Sequence, residues 1–292
     1  MEGVMMKNQD QYAVAIRKPD QSIIVEKKEY HSFCKYEALR KIPIIRGVIN
    51  FIDSLVLGMG TLTFSASFFE DEEEEKTEKS GKKEKAVMGA TVFFSILLAV
   101  AIFMILPFYI SLLFQKVISS RTLVIVLEGV IRLTIFILYI LLISRMKDIQ
   151  RVFMYHGAEH KCINCIEHGL ELNVENVRKS SKEHKRCGTS FLFFVVIVSI
   201  IATLFIQVDS RVLRLVLRLV IIPVVAGISY EIIRLAGRSE NPIVNLLSKP
   251  GLWMQRMTTR EPDDDMIEVG IASVEAVFDW KSYIKNMKEG IV

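Results

Sequence analysis

The residues best suited to chemistry lie between positions 156 and 187. Over Tyr155–Cys165 the chain reads Tyr-His-Gly-Ala-Glu-His-Lys-Cys-Ile-Asn-Cys, and His184 and Cys187 follow before the next apolar run. Two histidines four residues apart lie on one face of a helix, close enough to bind one ion. The order His-x-x-Glu-His places Glu159 beside them, where zinc hydrolases of the inverted type carry their general base. The pattern therefore predicts a metal site.

The number of ligands decides what such a site does. The four candidate ligands are His156, His160, His184 and Cys187. If all four bind the ion, a tetrahedral shell is full and the site is structural. If one does not, a position stays open for water, and Glu159 can take the proton of that water. Because nitrogen and thiolate ligands suit Zn²⁺ better than Mg²⁺ or Ca²⁺, we expect about one zinc ion per chain.

Other polar residues of the segment are weaker candidates. Cys162 and Cys165 form a Cys-x-x-Cys pair, which alone is weak evidence for a metal site. We interpret Glu167, His168 and Glu171 as surface residues rather than further ligands. The rival interpretation of the whole cluster is a hydrogen-bonded network in a contact between helices.

Four apolar runs have the length of membrane spans. They are residues 86–114, 123–144, 191–208 and 212–236. About 20 helical residues cross the hydrocarbon core of a bilayer, and few soluble domains carry four such runs. Apolar residues make up 51% of the chain, and its mean hydropathy is +0.35. Since no run follows a signal-peptide pattern, all four are expected to be retained helices.

A fifth run, residues 47–69, contains Asn50, Asp53 and two mid-segment glycines. Lysine and arginine are frequent on both of its sides, which places both flanks in the cytoplasm under the positive-inside rule. The run is therefore expected to dip into the membrane or to lie along it.

The other connections indicate a single orientation. Residues 115–122 and 209–211 are short and carry few basic residues, whereas residues 145–185 and the tail after Arg238 are long and basic. This asymmetry predicts four spans with both termini in the cytoplasm, where thiols stay reduced. The net charge of +4 suits an anionic lipid surface, and no pattern indicates nucleic-acid binding.

These expectations divide the chain into seven segments. Residues 1–46 form an N-terminal module with a β-hairpin, 47–69 an interfacial or re-entrant segment, and 70–85 a charged linker. Residues 86–144 hold spans 1 and 2, 145–189 the cytoplasmic loop with the His/Glu/Cys cluster, and 190–236 spans 3 and 4. Residues 237–292 form a cytoplasmic tail, whose acidic Glu261–Asp265 start precedes apolar residues at the spacing of an amphipathic helix.

The chain resembles the YqhQ-like family of bacterial membrane proteins, a domain of unknown function labelled a predicted metal-dependent enzyme. The resemblance covers nearly the whole length. It rests on Met1–Met6, Arg46–Val48, Tyr155–Lys161, Val174–Val177, His184–Ser190, Gly251–Trp253 and Thr259–Pro262. It implies that His156, Glu159, His160, His184 and Cys187 form the metal site, and that Cys162 and Cys165 lie outside it.

We therefore expect a polytopic α-helical membrane protein of about four transmembrane helices with a small cytoplasmic α+β portion, located in the bacterial cytoplasmic membrane. The favoured function is divalent-metal binding at the cytoplasmic membrane face, with zinc-dependent hydrolysis as its enzymatic form. The alternative is a non-enzymatic scaffold or partner in membrane-protein biogenesis, whose His/Cys cluster is structural. Glu128 and Arg132 lie four residues apart in the second span and Arg218 lies in the fourth, but a transporter is disfavoured because the spans show no evident pair of broken helices.

Overall fold

The computed structural model describes residues 2–68, 78–206, 208–239 and 241–291. The protein is mostly helical, with one three-stranded sheet. The chain divides into two compact units. The first, here called the sheet unit, comprises Met1–Phe69, Leu142–Phe194 and Ala226–Val292; the second, the helical unit, comprises Glu70–Leu141 and Val195–Val225.

The sheet has three antiparallel strands in the order β1-β2-β3. They are β1 (Gly3–Asn8), β2 (Gln11–Arg17) and β3 (Ile23–Glu29). The predicted hairpin corresponds to β2 and β3, with Gly3 opposite Ile16 in the neighbouring β1–β2 pair. Asp20 fixes the turn, because its Oδ1 accepts a hydrogen bond of 2.9 Å from the Ser22 amide.

Helices make up much of the rest of this unit. They are α1 (Glu37–Lys41), α2 (Ile45–Ala66), α6 (Lys147–Glu167), α7 (Val174–Lys179), α11 (Pro242–Thr258), α12 (Asp264–Val277) and α13 (Trp280–Lys288). The amphipathic helix expected in the tail is α12, capped by the Asp263 side chain on the Met266 amide. Its apolar face, with Ile267 and Val274, packs against the sheet and α6 in one core. Residues 145–189, expected as a cytoplasmic loop, contain α6 and α7 and are therefore largely helical.

Helices also make up most of the described part of the helical unit. They are α3 (Glu78–Val100), a π-helical turn (Ala101–Ile105), α4 (Leu106–Phe114), α9 (Arg211–Val220) and parts of α5 (Arg121–Ile143), α8 (Gly188–Phe205) and α10 (Ile222–Ala236). Pro107 explains the π-helical turn, since it has no N–H for the carbonyl four residues earlier. Of the expected linker, residues 78–85 belong to α3, and residues 70–77 lie outside the described residues.

A group of three buried charges lies inside the helical unit, and we call it the charged triad. Glu128 Oε1 accepts hydrogen bonds from Arg132 Nη2 at 2.9 Å and from Arg218 Nη1 at 2.6 Å. Arg132 also donates to Ser199 Oγ at 3.0 Å, and the Arg218 guanidinium lies 4.9 Å from the Phe108 ring centre. Glu128 and Arg218 thus form a pair, as buried opposite charges must in an apolar surrounding.

Four described helices are long and apolar enough to cross a bilayer. They are Ile45–Ala66, Val87–Phe114, Arg121–Ile143 and Gly188–Phe205. The last expected span, 212–236, is not one straight helix, because it bends by 41° between Val212–Val220 and Ile222–Ala236. Pro223 explains the bend, since its ring removes the hydrogen bond to the carbonyl four residues earlier. Residues 212–236 were expected to form one span, and the described residues form two helices with this bend between them.

Helix α2 covers most of residues 47–69, for which an interfacial or re-entrant course is expected. It is one continuous helix of 22 residues and is among the helices long and apolar enough to cross a bilayer. Asp53, near its middle, is buried and accepts hydrogen bonds from Tyr30 Oη at 2.5 Å, Ser32 Oγ at 2.6 Å and the Phe33 amide at 3.0 Å. One polar residue of α2 is therefore tied to the segment that follows the sheet.

Candidate metal centre

Three of the four predicted ligands meet in the sheet unit. One donor atom each of His156, His160 and Cys187 lies within 4.8 Å of the other two, and we call these residues the His/Cys triad. His156 Nε2 lies 3.2 Å from Cys187 Sγ, and the two imidazole ring centres are 4.3 Å apart. Helix α6 presents both histidines on one face, as their spacing predicts.

Backbone carbonyls orient both imidazoles. His156 Nδ1 lies 3.1 Å from the Thr258 carbonyl oxygen, and His160 Nδ1 lies 2.7 Å from that of Lys182. A carbonyl oxygen only accepts, so Nδ1 of each ring is the donor, and in a neutral ring Nε2 then carries the lone pair. Metal-bound histidines in proteins are held in this way by their second nitrogen. The rings are therefore oriented for binding through Nε2.

Cys187 lies directly before the first residue of α8. Its sulfur accepts from the Thr189 amide at 3.4 Å and lies 3.1 Å from Thr189 Oγ1. Burial alone would raise the pKa of this thiol, but hydrogen bonds and charge from His156 and His160 lower it to about 4. Burial alone would lower the pKa of His156, but the Cys187 sulfur and Glu159 raise it to about 9. Without a metal, this pair is a thiolate and an imidazolium at neutral pH.

His184 lies outside the triad. Its Nε2 lies 3.1 Å from Glu167 Oε2, its Nδ1 accepts from the Arg186 amide at 3.4 Å, and its ring centre is 5.8 Å from that of His160. Both ring nitrogens thus have partners in the protein. Glu167, interpreted from the sequence as a surface residue, instead contacts His184 and Arg186, which hold its pKa below the usual range although burial opposes this.

Gln255 of α11 positions the segment that carries Cys187, and the sequence patterns did not indicate it. Its Oε1 accepts from the His184 amide at 2.8 Å, while its Nε2 donates to the His184 carbonyl and to Ser190 Oγ, each at 2.7 Å. Gln255 is completely buried, so no water competes for these hydrogen bonds. A single glutamine in α11 belongs to no sequence motif, so the sequence alone could not have indicated its role.

Two further residues of α6 hold the loop that orients His160. Lys161 Nζ donates to the carbonyls of Arg178 and Ser180, each at 2.9 Å. Asn164 Nδ2 donates to the carbonyls of Ser181 at 2.7 Å and Glu183 at 2.9 Å. These bonds fix the backbone on both sides of Lys182, whose carbonyl meets His160. Lys161 follows His160 directly in the sequence string quoted above, which is the one signal that could have indicated it.

Gly157 allows a close backbone contact beside the triad. A Cβ at this position would overlap the carbonyl oxygen of Arg260, and the Arg260 amide donates to the Phe153 carbonyl at 2.9 Å. The turn of α6 that carries His156 therefore lies directly against the chain after α11. This contact brings the Thr258 carbonyl within reach of the His156 ring.

A cavity of about 510 Å³ opens onto the triad, and we call it the main cavity. Glu159 contributes to its wall together with all three triad residues. Burial raises the pKa of the Glu159 carboxyl, while the neighbouring histidines oppose this shift. The rest of the lining combines apolar side chains with the polar residues Asn8, Glu167 and His184 and two cations. The apolar side chains and the cations include Met6, Lys7, Ile163, Arg186, Val274, Val277, Phe278 and Tyr283.

Cys162 and Cys165 lie away from the triad. Both are buried in the core that α6 shares with α12, where a Cβ at Gly270 would touch Cys162 Sγ. Burial raises the pKa of both thiols, most strongly for Cys162. Each therefore behaves as a small apolar core residue.

The chain matches the family described as protein of unknown function (DUF1385) over residues 42–280, which include the whole triad. It is also 37% identical over 281 residues to the uncharacterized protein YqhQ of Bacillus subtilis (strain 168), covering 94% of this chain and 88% of that protein. The chain belongs to the DUF1385 family. The resemblance to YqhQ-like proteins is thus confirmed. No solved structure matches the chain.

Proposed function

We propose that this DUF1385 protein is a membrane-embedded, zinc-dependent hydrolase whose site faces the cytoplasm. One observation carries the proposal: two imidazoles, each held through Nδ1 by a backbone carbonyl, direct Nε2 toward one cysteine sulfur at the edge of a cavity. Three protein ligands with a fourth position open to a cavity are typical of catalytic rather than structural zinc sites.

The donor set fits zinc, since two imidazoles and a thiolate match a borderline-soft ion. When bound, zinc polarises the scissile group and makes water at its open position more acidic. The protein's own residues supply the proton transfer and hold the ligands in position. The Glu159 carboxylate accepts a proton from the attacking water and passes it to the leaving group, while Gln255 and the Thr258 carbonyl hold the ligands in place.

The first experiment asks whether the site binds metal and keeps a position open. Protein purified in detergent is loaded with Co²⁺, whose absorption spectrum reports thiolate ligation, and then titrated with acetohydroxamic acid. We expect a thiolate–cobalt spectrum that changes on titration. Glu159→Gln should keep the spectrum and lose turnover of a chromogenic acetate ester, relative to wild type and to Cys162→Ser. A cobalt spectrum that does not respond to the hydroxamate indicates a closed, structural site and favours the scaffold alternative.

One observation favours a second function for the same residues. The Cys187 sulfur lies 3.2 Å from His156 Nε2 at the start of α8, which is the geometry of a cysteine nucleophile with its base. Zinc distinguishes the two, because a ligated thiolate resists alkylation. If Cys187 of the protein as purified reacts rapidly with iodoacetamide, and added Zn²⁺ gives no protection, the nucleophile is favoured over the metal site.

We further propose that the protein crosses the bacterial cytoplasmic membrane several times with both termini inside. The apolar helices and the asymmetry of Lys and Arg support this topology. We assign α2 to the interface rather than to a span, because crossing would carry Asp53 with Tyr30 and Ser32 into hydrocarbon. The site then lies beneath the cytoplasmic surface.

Cysteine labelling in intact cells tests this topology. In a Cys34→Ser background, Ser119→Cys should react with a membrane-impermeant maleimide, and Gln21→Cys should react only after permeabilisation. Both positions are exposed, so access depends on the side of the membrane. Labelling of Gln21→Cys in intact cells would show that this end of the chain lies outside and would contradict the proposed orientation.

A further inference from the structure

A second, smaller pocket reaches the candidate site from another side. It has a volume of about 270 Å³, and His156 and Glu159 line both this pocket and the main cavity. We call it the side pocket. The rest of its lining is mostly apolar: Gly3, Val4, Met5, Leu62, Val152 and Tyr155. The Tyr155 hydroxyl donates to Glu2 at 2.8 Å, so it adds no free polar group to the pocket.

The side pocket ends at the exposed face of α2. Leu62, which contributes to its lining, is 47% exposed and belongs to a row of exposed apolar residues at helical spacing. The row comprises Ile45, Ile52, Leu55, Val56, Met59 and Leu62. Another face of the same helix carries buried Asp53 with its hydrogen bonds. A helix that is anchored on one face and apolar on the other suits the boundary of a bilayer, where acyl chains cover the apolar row.

We propose that the substrate is an amphiphile taken from the bilayer, whose alkyl chain enters the side pocket past Leu62 while its polar group lies in the main cavity. This inference rests on the proposed hydrolase function. A water-soluble substrate would need the main cavity alone, whereas an apolar pocket that joins Glu159 to the lipid-facing row of α2 fits a hydrocarbon chain. Lys7, Asn8 and the ion pair of Arg186 with Glu167 give the main cavity the polar lining that such a group needs.

Alkyl hydroxamic acids provide the probe, because they combine a zinc-binding head with a chain of chosen length. Their affinity for zinc-loaded protein in one detergent is measured from acetohydroxamic to hexanohydroxamic acid. If the chain is buried, affinity should rise by about fourfold per methylene. In Leu62→Trp, whose indole fills the pocket mouth, this rise should be lost while acetohydroxamate binds as in wild type. Partition into detergent is the same for both proteins and cancels.

Leu55→Trp is the matched control. Leu55 lies on the same exposed row at 51% exposure and outside the side pocket, so this variant should keep the wild-type rise. A wild-type affinity that does not depend on chain length overturns the inference and leaves the hydrolase proposal intact. A rise that survives Leu62→Trp also overturns it, since the chain then lies elsewhere. If zinc-loaded wild type binds no hydroxamate at all, the open site is absent and both proposals fail.

Discussion

The His/Cys triad of the sheet unit and the charged triad of the helical unit are both buried polar groups in an apolar chain, and they are built in opposite ways. In the His/Cys triad, Nδ1 of both rings donates to a backbone carbonyl, which leaves Nε2 of His156 facing the Cys187 sulfur. In the charged triad, one carboxylate lies between two guanidinium groups and accepts a hydrogen bond from each. The first arrangement suits an added cation, and the second is held by its own charges.

The two triads differ in what holds their polar groups together. Electron-pair donors placed together repel unless a proton or a metal ion lies between them, so their assembly needs supporting bonds from elsewhere. Gln255, Lys161 and Asn164 supply those bonds around the His/Cys triad. In the charged triad, by contrast, Arg132 and Arg218 bind Glu128 directly. We therefore expect stability to depend mainly on the charged triad and metal binding on the His/Cys triad.

Removing the shared carboxylate should have the largest effect on stability. Glu128→Gln leaves two buried guanidinium groups without a counter-charge, which costs about 3–5 kcal/mol. The apparent Tm of detergent-purified protein should fall clearly, with zinc content per folded chain unchanged. Glu175→Gln is the control, because Glu175 pairs with Lys179 on an exposed surface and its loss should leave Tm as it is. Equal Tm values for the two variants would remove the distinction between the triads.

Removing either imidazole of the His/Cys triad should abolish metal binding. Elemental analysis of the wild type should find about one zinc per chain, and His156→Ala or His160→Ala should lose most of it, since a three-ligand site does not survive the loss of one ligand. His184→Ala should keep its zinc, because both His184 nitrogens contact protein groups. Cys162→Ser is the matched control for a buried substitution on α6. Loss of zinc from His184→Ala would restore the four-ligand site.

The pH dependence of Cys187 alkylation tests the electrostatics of the triad without metal. A thiol reacts as the thiolate, so its rate rises through its own pKa. With a pKa of about 4, Cys187 in chelator-treated protein should be reactive from about pH 5 upward. In His156→Ala the profile should move toward the ordinary thiol value of about 8.5. Peptide mass spectrometry follows the modified residue, and profiles that coincide would mean that His156 does not stabilise the thiolate.

The smallest effect should come from the supporting residue. Gln255→Ala removes the contacts that position the chain around Cys187, and substitution of such supporting groups weakens metal affinity by about 10–100-fold. Competition with a zinc chelator of known affinity measures this change. Ser248→Ala, also buried on α11 but bonded within its own helix to the Val244 carbonyl, should bind zinc like the wild type. An unchanged affinity in Gln255→Ala would assign Gln255 to the fold alone.

Local patterns predicted the elements that carry the site. The spacing of His156 and His160 indicated one helix face, and Asp263 with the apolar residues behind it indicated α12. The bend at Pro223 could also have been predicted, because proline cannot donate the required hydrogen bond. The sequence did not reveal which of His184 and Cys187 would join the triad. That choice depends on Glu167 and Gln255, whose contacts span 17 and 71 residues and follow no periodicity.

The Thr258 carbonyl, which orients His156, is synthesised later than all three residues of the His/Cys triad. It lies 102 residues beyond His156, and Gln255 lies 71 residues beyond His184. A nascent chain that has just emerged through α8 already carries all three donor side chains and neither contact from α11. Since chains begin to fold during synthesis, the supporting contacts of the proposed zinc site are complete only after α11 has been made. We therefore expect a chain truncated before Gln255 to retain His156, His160 and Cys187 and to bind zinc more weakly than the full-length protein.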